Sequence, residues 1–270
     1  MTDQAESLRR MVKEREIDNT GTRIIGIFSG KGGVGKSSIA INLAFGLKDF
    51  DKKVLLIDCD VGLYNLSLLM GMDNKTPGKF SKLLRGIIKW DEIILSTDYG
   101  IDFLGGTGRD PFVAEPEFGF IDEIKASERY QYIIIDTSPG VHGNLMKLTD
   151  YTNINAVITT PELTSITDSY ALIKSLVTEK KSNLFHLIVN RSFSSQESET
   201  TYYRLENVVN RFLHANLEFL GYMSEDKIIK ESVKYQYPAF LTKPYAPSMV
   251  CIRDIARKIV SYGLTSEHRM

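Results

Sequence analysis

The residues of this chain whose types and spacing can do chemistry begin with Gly30-Lys31-Gly32-Gly33-Val34-Gly35-Lys36-Ser37. The run fits G-x-x-x-x-G-K-[ST], in which glycines let backbone N–H groups turn inward on a polyphosphate. Lys36 then reaches the β/γ-phosphates and Ser37 a Mg²⁺ ion. Two further stretches end in acid: Lys53-Val54-Leu55-Leu56-Ile57-Asp58, followed by Cys59-Asp60, and Tyr130-Gln131-Tyr132-Ile133-Ile134-Ile135-Asp136. Carboxylates at the ends of buried strands gather at the edge of a parallel sheet where nucleotides bind, and there they hold Mg²⁺ or orient an attacking water. Ser37, Asp58 and Asp136 are therefore the expected metal ligands. The run Leu187-Ile188-Val189 ends in Asn190-Arg191, where an amide with both a donor and an acceptor can read a base edge; Asn190 is preferred to Arg191 for that role. His142, just beyond the second acid, reads as a surface or capping residue rather than a general base.

These groups need strands and helices to position them. Ile24 to Phe28 precedes the glycine loop as a strand, and Ile39, Asn42, Leu43, Phe45, Gly46 and Leu47 follow it at helical spacing, so the loop hands its phosphate to a helix N-terminus. Helical patterns are expected around Phe80 to Ile88 and over 115–127, with a strand at 101–104 and a turn at Gly105-Gly106-Thr107-Gly108. Strands at 154–159, 184–189 and 217–220 then alternate with helices at 164–177, 202–213 and 226–235, and a last helix spans 249–262. Such alternation predicts an α/β fold, a mostly parallel twisted sheet with helices on both faces.

Composition narrows the classes. At 270 residues the chain suits one α/β domain, with 43% hydrophobic and 25% charged residues. No apolar run approaches the roughly 18 residues that cross a bilayer, and the N-terminus lacks a secretory apolar core, which places the chain in the cytoplasm. Its two cysteines, Cys59 and Cys251, lie in no C-x-x-C, so neither structural zinc nor a cysteine-held cluster is expected. A net charge of −1 gives no global attraction for nucleic acid. Ahead of the first strand, residues 1–22 form a leader in which Ala5, Leu8, Met11 and Val12 fall on one face of a short helix.

The glycine loop, with lysine both at Lys31 and at Lys36, resembles the deviant Walker A motif of the MinD/ParA class of dimeric ATPases. Asp58-Cys59-Asp60-Val61-Gly62-Leu63-Tyr64-Asn65-Leu66 is similar to its switch I, and Asp136-Thr137-Ser138-Pro139-Gly140 to its switch II. The resemblance implies a three-layer P-loop NTPase fold over residues 23–270, bound ATP and Mg²⁺, and an ATP-dependent homodimer. Gly30 to Ser38 would line the nucleotide. Lys31 would be the signature lysine that crosses to the partner's ATP, Asp60 would position the attacking water, and Lys36 and Asp136 would complete the catalytic set.

Within that class, Asp3-Gln4-Ala5-Glu6-Ser7-Leu8-Arg9 and the stretch from Thr159 to Tyr170 resemble the FlhG family, also called FleN or YlxH. There the D-Q-A-x-x-L-R leader activates an FlhF-type signal-recognition GTPase, and the pair sets flagellum number and placement. By that likeness Asp3, Gln4, Ala5, Leu8 and Arg9 meet the partner. Some members restrain a flagellar transcriptional activator, flagellar C-ring proteins are further candidate partners, and the family docks peripherally on the inner face of the cell membrane through a C-terminal helix. This chain departs from the pattern in two places: switch II lacks a glycine-alanine pair, and little apolar surface follows Tyr262. The rival readings are a DNA-segregation ATPase of the ParA type, which the mild acidity disfavours, a division-site ATPase of the MinD type, and a metabolic P-loop enzyme.

Overall fold

The computed structural model describes residues 21–60, 65–72, 78–106, 113–179 and 181–264. The leader residues Asp3, Gln4, Ala5, Leu8 and Arg9, the middle of the switch I stretch at 61–64, and the turn residues Thr107 and Gly108 lie outside them.

Eight strands form one sheet. They are β1 (Arg23–Phe28), β2 (Val54–Cys59), β3 (Leu95–Ser96), β4 (Asp102–Gly105), β5 (Tyr132–Thr137), β6 (Ile154–Thr159), β7 (Leu184–Ser192) and β8 (Asn216–Ser224). Their order is β3-β4-β2-β5-β1-β6-β7-β8, and every neighbouring pair is parallel except β3 with β4. The central runs are nearly continuous Val, Ile and Leu because both faces are covered. Alternation then sorts the side chains. Ile25, Ile27, Leu56, Ile134, Ala156 and Ile158 pack into one core, while Ile24, Leu55, Ile57, Ile133, Ile135 and Val157 face the opposite way.

On the first face lie α1 (Lys36–Lys48), α2 (Asn65–Leu69), α8 (Lys227–Tyr235), α9 (Ala239–Thr242) and α10 (Pro247–Leu264). On the second lie α3 (Lys79–Leu83), α4 (Phe120–Ala126), α5 (Gly143–Thr149), α6 (Leu163–Thr178) and α7 (Ser195–Leu213). Three layers result, as expected. Phe28, Phe45, Phe80, Phe103 and Phe185 are fully buried at the contacts between layers, each burial worth about 1.5–3 kcal/mol.

Several boundaries differ from the sequence expectation, each for a local reason. The pattern at 80–88 gives a helix only to Leu83, because Gly86 turns the chain at φ 65°. The helix expected over 115–127 starts at Phe120, since Pro116 precedes it and the Glu117 N–H donates to the Leu84 carbonyl instead. Helix α7 begins seven residues before Tyr202: Ser194 caps it by accepting from the Glu197 N–H at 3.1 Å, and Glu197 accepts from the Phe193 N–H in return. Helices α5 and α9 and the antiparallel β3 were not foreseen. His142 caps α5, its Nδ1 accepting from the Leu145 N–H at 3.2 Å.

Both edges of the sheet are blunted. Strand β3 is two residues long. Along β8, the Leu217 carbonyl accepts from the Tyr202 hydroxyl at 3.0 Å and the Phe219 carbonyl from Lys258 Nζ at 3.5 Å.

Candidate nucleotide site

The glycine loop joins β1 to α1 at the carboxyl edge of the sheet. Gly33 and Gly35 take positive φ values of 78° and 93°, which residues with a Cβ rarely adopt, and Gly35 caps α1. Gly30 is required by contact: a Cβ there would lie 2.1 Å from the backbone oxygen of Asp168 in α6. The loop is thus pressed between α6 and the end of β7.

Two acids expected at the crevice behave differently. Asp136 ends β5, and its Oδ2 accepts from the Ser37 hydroxyl at 2.6 Å. Its Oδ1 is buried without a partner. Burial raises the Asp136 carboxyl to about 7, against the opposing pull of Ser37 and Lys36. A buried carboxylate with one unsatisfied oxygen beside a serine hydroxyl is a fitting donor pair for Mg²⁺, which binds through one or two such groups and completes its shell with water and phosphate. Lys36 is 8% exposed; burial lowers its pKa, while Asp136 and then Asp60 pull it back up. Cation and acids therefore share one desolvated pocket.

Asp58, the other expected ligand, is held by the backbone. It is fully buried, its Oδ1 accepts from the Asp60 N–H at 3.1 Å and its Oδ2 from the Leu66 N–H at 3.0 Å. Burial, reinforced by Asp136, holds its carboxyl well above the usual range. With an N–H on each oxygen, Asp58 ties the end of β2 to the start of α2, while Asp60, 9% exposed, lies within electrostatic reach of Lys36.

Asn190, the expected base reader, ends up against the loop. Its Nδ2 donates to the Val34 carbonyl at 2.6 Å and its Oδ1 accepts from the Arg191 N–H at 2.8 Å. The amide thus braces the loop. Beside it, Gly35, Ser38, Arg191, Ser224 and Asp226 line a cavity of about 300 Å³, large enough for a heterocycle next to the phosphate loop.

Lys31 points elsewhere. Its Nζ donates to Thr164 Oγ1 at 2.9 Å and pairs with Glu162 Oε2 at 3.2 Å, on the segment that leads into α6. Glu162 and Thr164 belong to the Thr159–Tyr170 stretch that carries the family likeness, and no local spacing connects them to Lys31. The stretch that resembles switch II is pinned at its end by the Gly140 N–H donating to the Ser29 carbonyl at 2.9 Å.

A family model for ParA, described as NUBPL iron-transfer P-loop NTPase, matches residues 20–260. The chain belongs to the ParA/MinD family of P-loop ATPases. This ParA/MinD-family ATPase is 27% identical to the antiactivator FleN of Pseudomonas aeruginosa, over 92% of its own length and 89% of that protein. It is 33% identical to the flagellum site-determining protein YlxH of Helicobacter pylori, over 87% of the chain and 82% of the relative. Among solved structures, the MinC:MinD cell division complex of Aquifex aeolicus is similar with a TM-score of 0.73 and 27% identity, over 89% of this chain and 96% of that one.

Proposed function

We propose that this ATPase is a switch that sets flagellum number and placement. ATP with Mg²⁺ draws two copies face to face, and slow hydrolysis resets them. In this reading Ser37 and Asp136 hold the metal, Lys36 and the loop N–H groups hold the phosphates, and Asp60 positions the attacking water. Lys31 leaves Glu162 to reach the partner's nucleotide. The leader residues Asp3, Gln4, Ala5, Leu8 and Arg9 activate an FlhF-type GTPase. A flagellar transcriptional activator and C-ring proteins are further partners, and the ATP-bound form contacts the inner face of the cell membrane.

The observation that carries the reading is a likeness to FleN and YlxH along nearly the whole chain, joined to an intact phosphate loop with its acid and hydroxyl in contact. Two measurements test it. Asp60→Ala is expected to accumulate as an ATP-bound dimer in sedimentation velocity with hydrolysis suppressed; a variant that stays monomeric or hydrolyses at the parent rate removes Asp60 from its role. The full chain is expected to stimulate the FlhF-type GTPase, and Gln4→Ala or Leu8→Ala to abolish that stimulation. No stimulation by the parent overturns the flagellar assignment while leaving the ATPase.

A further inference from the structure

The two most exposed large apolar side chains among the described residues, Tyr245 at 85% and Phe193 at 82%, stand at one groove. It follows the edge strand β8 from Phe219 to Ser224, between α7 and α10, and encloses about 930 Å³. Phe193 and Glu199 line it on the α7 side, and Tyr245, Val250 and Asp254 on the α10 side. Burial raises the pKa of the Tyr222 hydroxyl between them, and Cys251, Asp254 and Glu199 raise it further, so each wall turns an acid toward the floor. Asp254 is paired with Arg257, whereas no cation pairs with Glu199 among the described residues. Exposed rings around an apolar groove, with an unmatched acid at the rim, suit an amphipathic helical segment with a basic flank.

We propose that this groove holds the chain's own leader, residues 5–12 lying in it as a helix with Leu8, Met11 and Val12 against Phe219 and Tyr222. The regulatory meaning rests on the proposed function: a docked leader is withheld from the GTPase it activates. The chain is long enough. Strands β1 and β8 are three places apart in the sheet, about 14 Å, and residues 13–20 extended span about 26 Å. A helix over residues 5–12 is about 12 Å long, and the strand from Phe219 to Ser224 about 17 Å. On such a helix Arg9 and Lys13 fall one turn apart beside the apolar face, as partners for Glu199. The short tether holds the leader at an effective concentration on the order of millimolar, so a weak contact fills the groove ahead of a segment free in solution. Ser224 lines both this groove and the cavity beside Gly35 and Ser38, which puts the docked leader next to the nucleotide site.

The test is trypsin cleavage of the full-length protein at Arg9, Arg10, Lys13 and Arg15, followed by mass spectrometry. Cleavage is expected to be on the order of tenfold faster in the double variant Phe193→Gln, Val250→Gln than in wild type, at an unchanged melting temperature. Equal rates overturn the proposal. Benzoylphenylalanine placed at Leu8 reads the site with the groove unaltered, and photo-cross-links within one chain to β8, α7 or α10 are expected. Cross-links to any other surface overturn the proposal, and cross-links between two chains overturn it in favour of a second copy's leader. The FlhF-type GTPase separates docking from function: the double variant, its leader sequence intact, is expected to stimulate more strongly than wild type. Equal stimulation overturns the withholding role. If neither protein stimulates while protection and cross-link hold, the flagellar assignment falls and the docked leader stands.

Discussion

The hydroxyl of Ser37 lies 2.6 Å from Asp136 Oδ2, although 99 positions separate the two in the chain. That contact places the end of the phosphate loop against the end of β5 and leaves Asp136 Oδ1 facing the crevice without a partner. A divalent ion held by Ser37 and Asp136 would displace the proton that burial favours on the Asp136 carboxyl. Asp136→Asn is therefore expected to remove the Mg²⁺ dependence of nucleotide affinity, so that titration calorimetry gives the same dissociation constant with Mg²⁺ and with EDTA. Ser37→Ala strips the carboxylate of its donor as well, and urea unfolding should show a loss of about 1–3 kcal/mol.

Asn190 decides between two roles. Because its amide holds the Val34 carbonyl, Asn190→Ala is expected to loosen the loop and weaken ATP and GTP binding by a similar factor, on the order of tenfold for one buried hydrogen bond. A variant that loses preference for adenine over guanine while keeping its affinity for GTP restores the base-reading role.

The Lys31–Glu162 pair is at the surface, with side chains 31% and 66% exposed, and contributes at most about 1 kcal/mol to folding. Glu162→Gln should leave the melting temperature within about 2 °C of the parent. Its effect belongs in assembly, where releasing Lys31 is expected to favour the ATP-dependent dimer up to about fivefold, read by sedimentation velocity across a concentration series.

His186 gives the fold a pH dependence far from the nucleotide. Burial holds the imidazole below its usual value, the Glu218 carboxylate 3.7 Å away pulling the other way. The unfolded chain, titrating near 6.5, takes up a proton before the native one does, so stability falls as pH drops below about 6.5. His186→Phe keeps a ring against Tyr262, whose centre lies 6.0 Å away, and should flatten the melting temperature between pH 7 and pH 5. Equal slopes for parent and variant would assign the dependence to other groups.

Most of the frame was legible because its signals are local. Apolar strands, helical spacing and the Gly35-Lys36-Ser37 sequence each declare themselves within ten residues, and the acid at the end of β5 follows from strand length alone. The S-x-x-E of Ser194 and Glu197 was equally local and would have moved the start of α7 to its true place. What stayed hidden depends on partners brought from far away. Asp58 meets the N–H of Leu66, and Asn190 the carbonyl of Val34, 156 positions earlier, and no local pattern announces either contact. No spacing rule announces that Glu162 will meet Lys31.

The side chains that close off β8 limit how copies of this protein can associate. Tyr202 and Lys258 occupy carbonyls that another strand would need, and β3 at the far side offers two residues. Sheet-to-sheet growth into filaments is thereby disfavoured. In the proposed reading, pairing uses the loops at the carboxyl ends of the strands, where the phosphate loop lies. Assembly that starts there can be undone by the same ligand, which a continuous cross-molecular sheet could not.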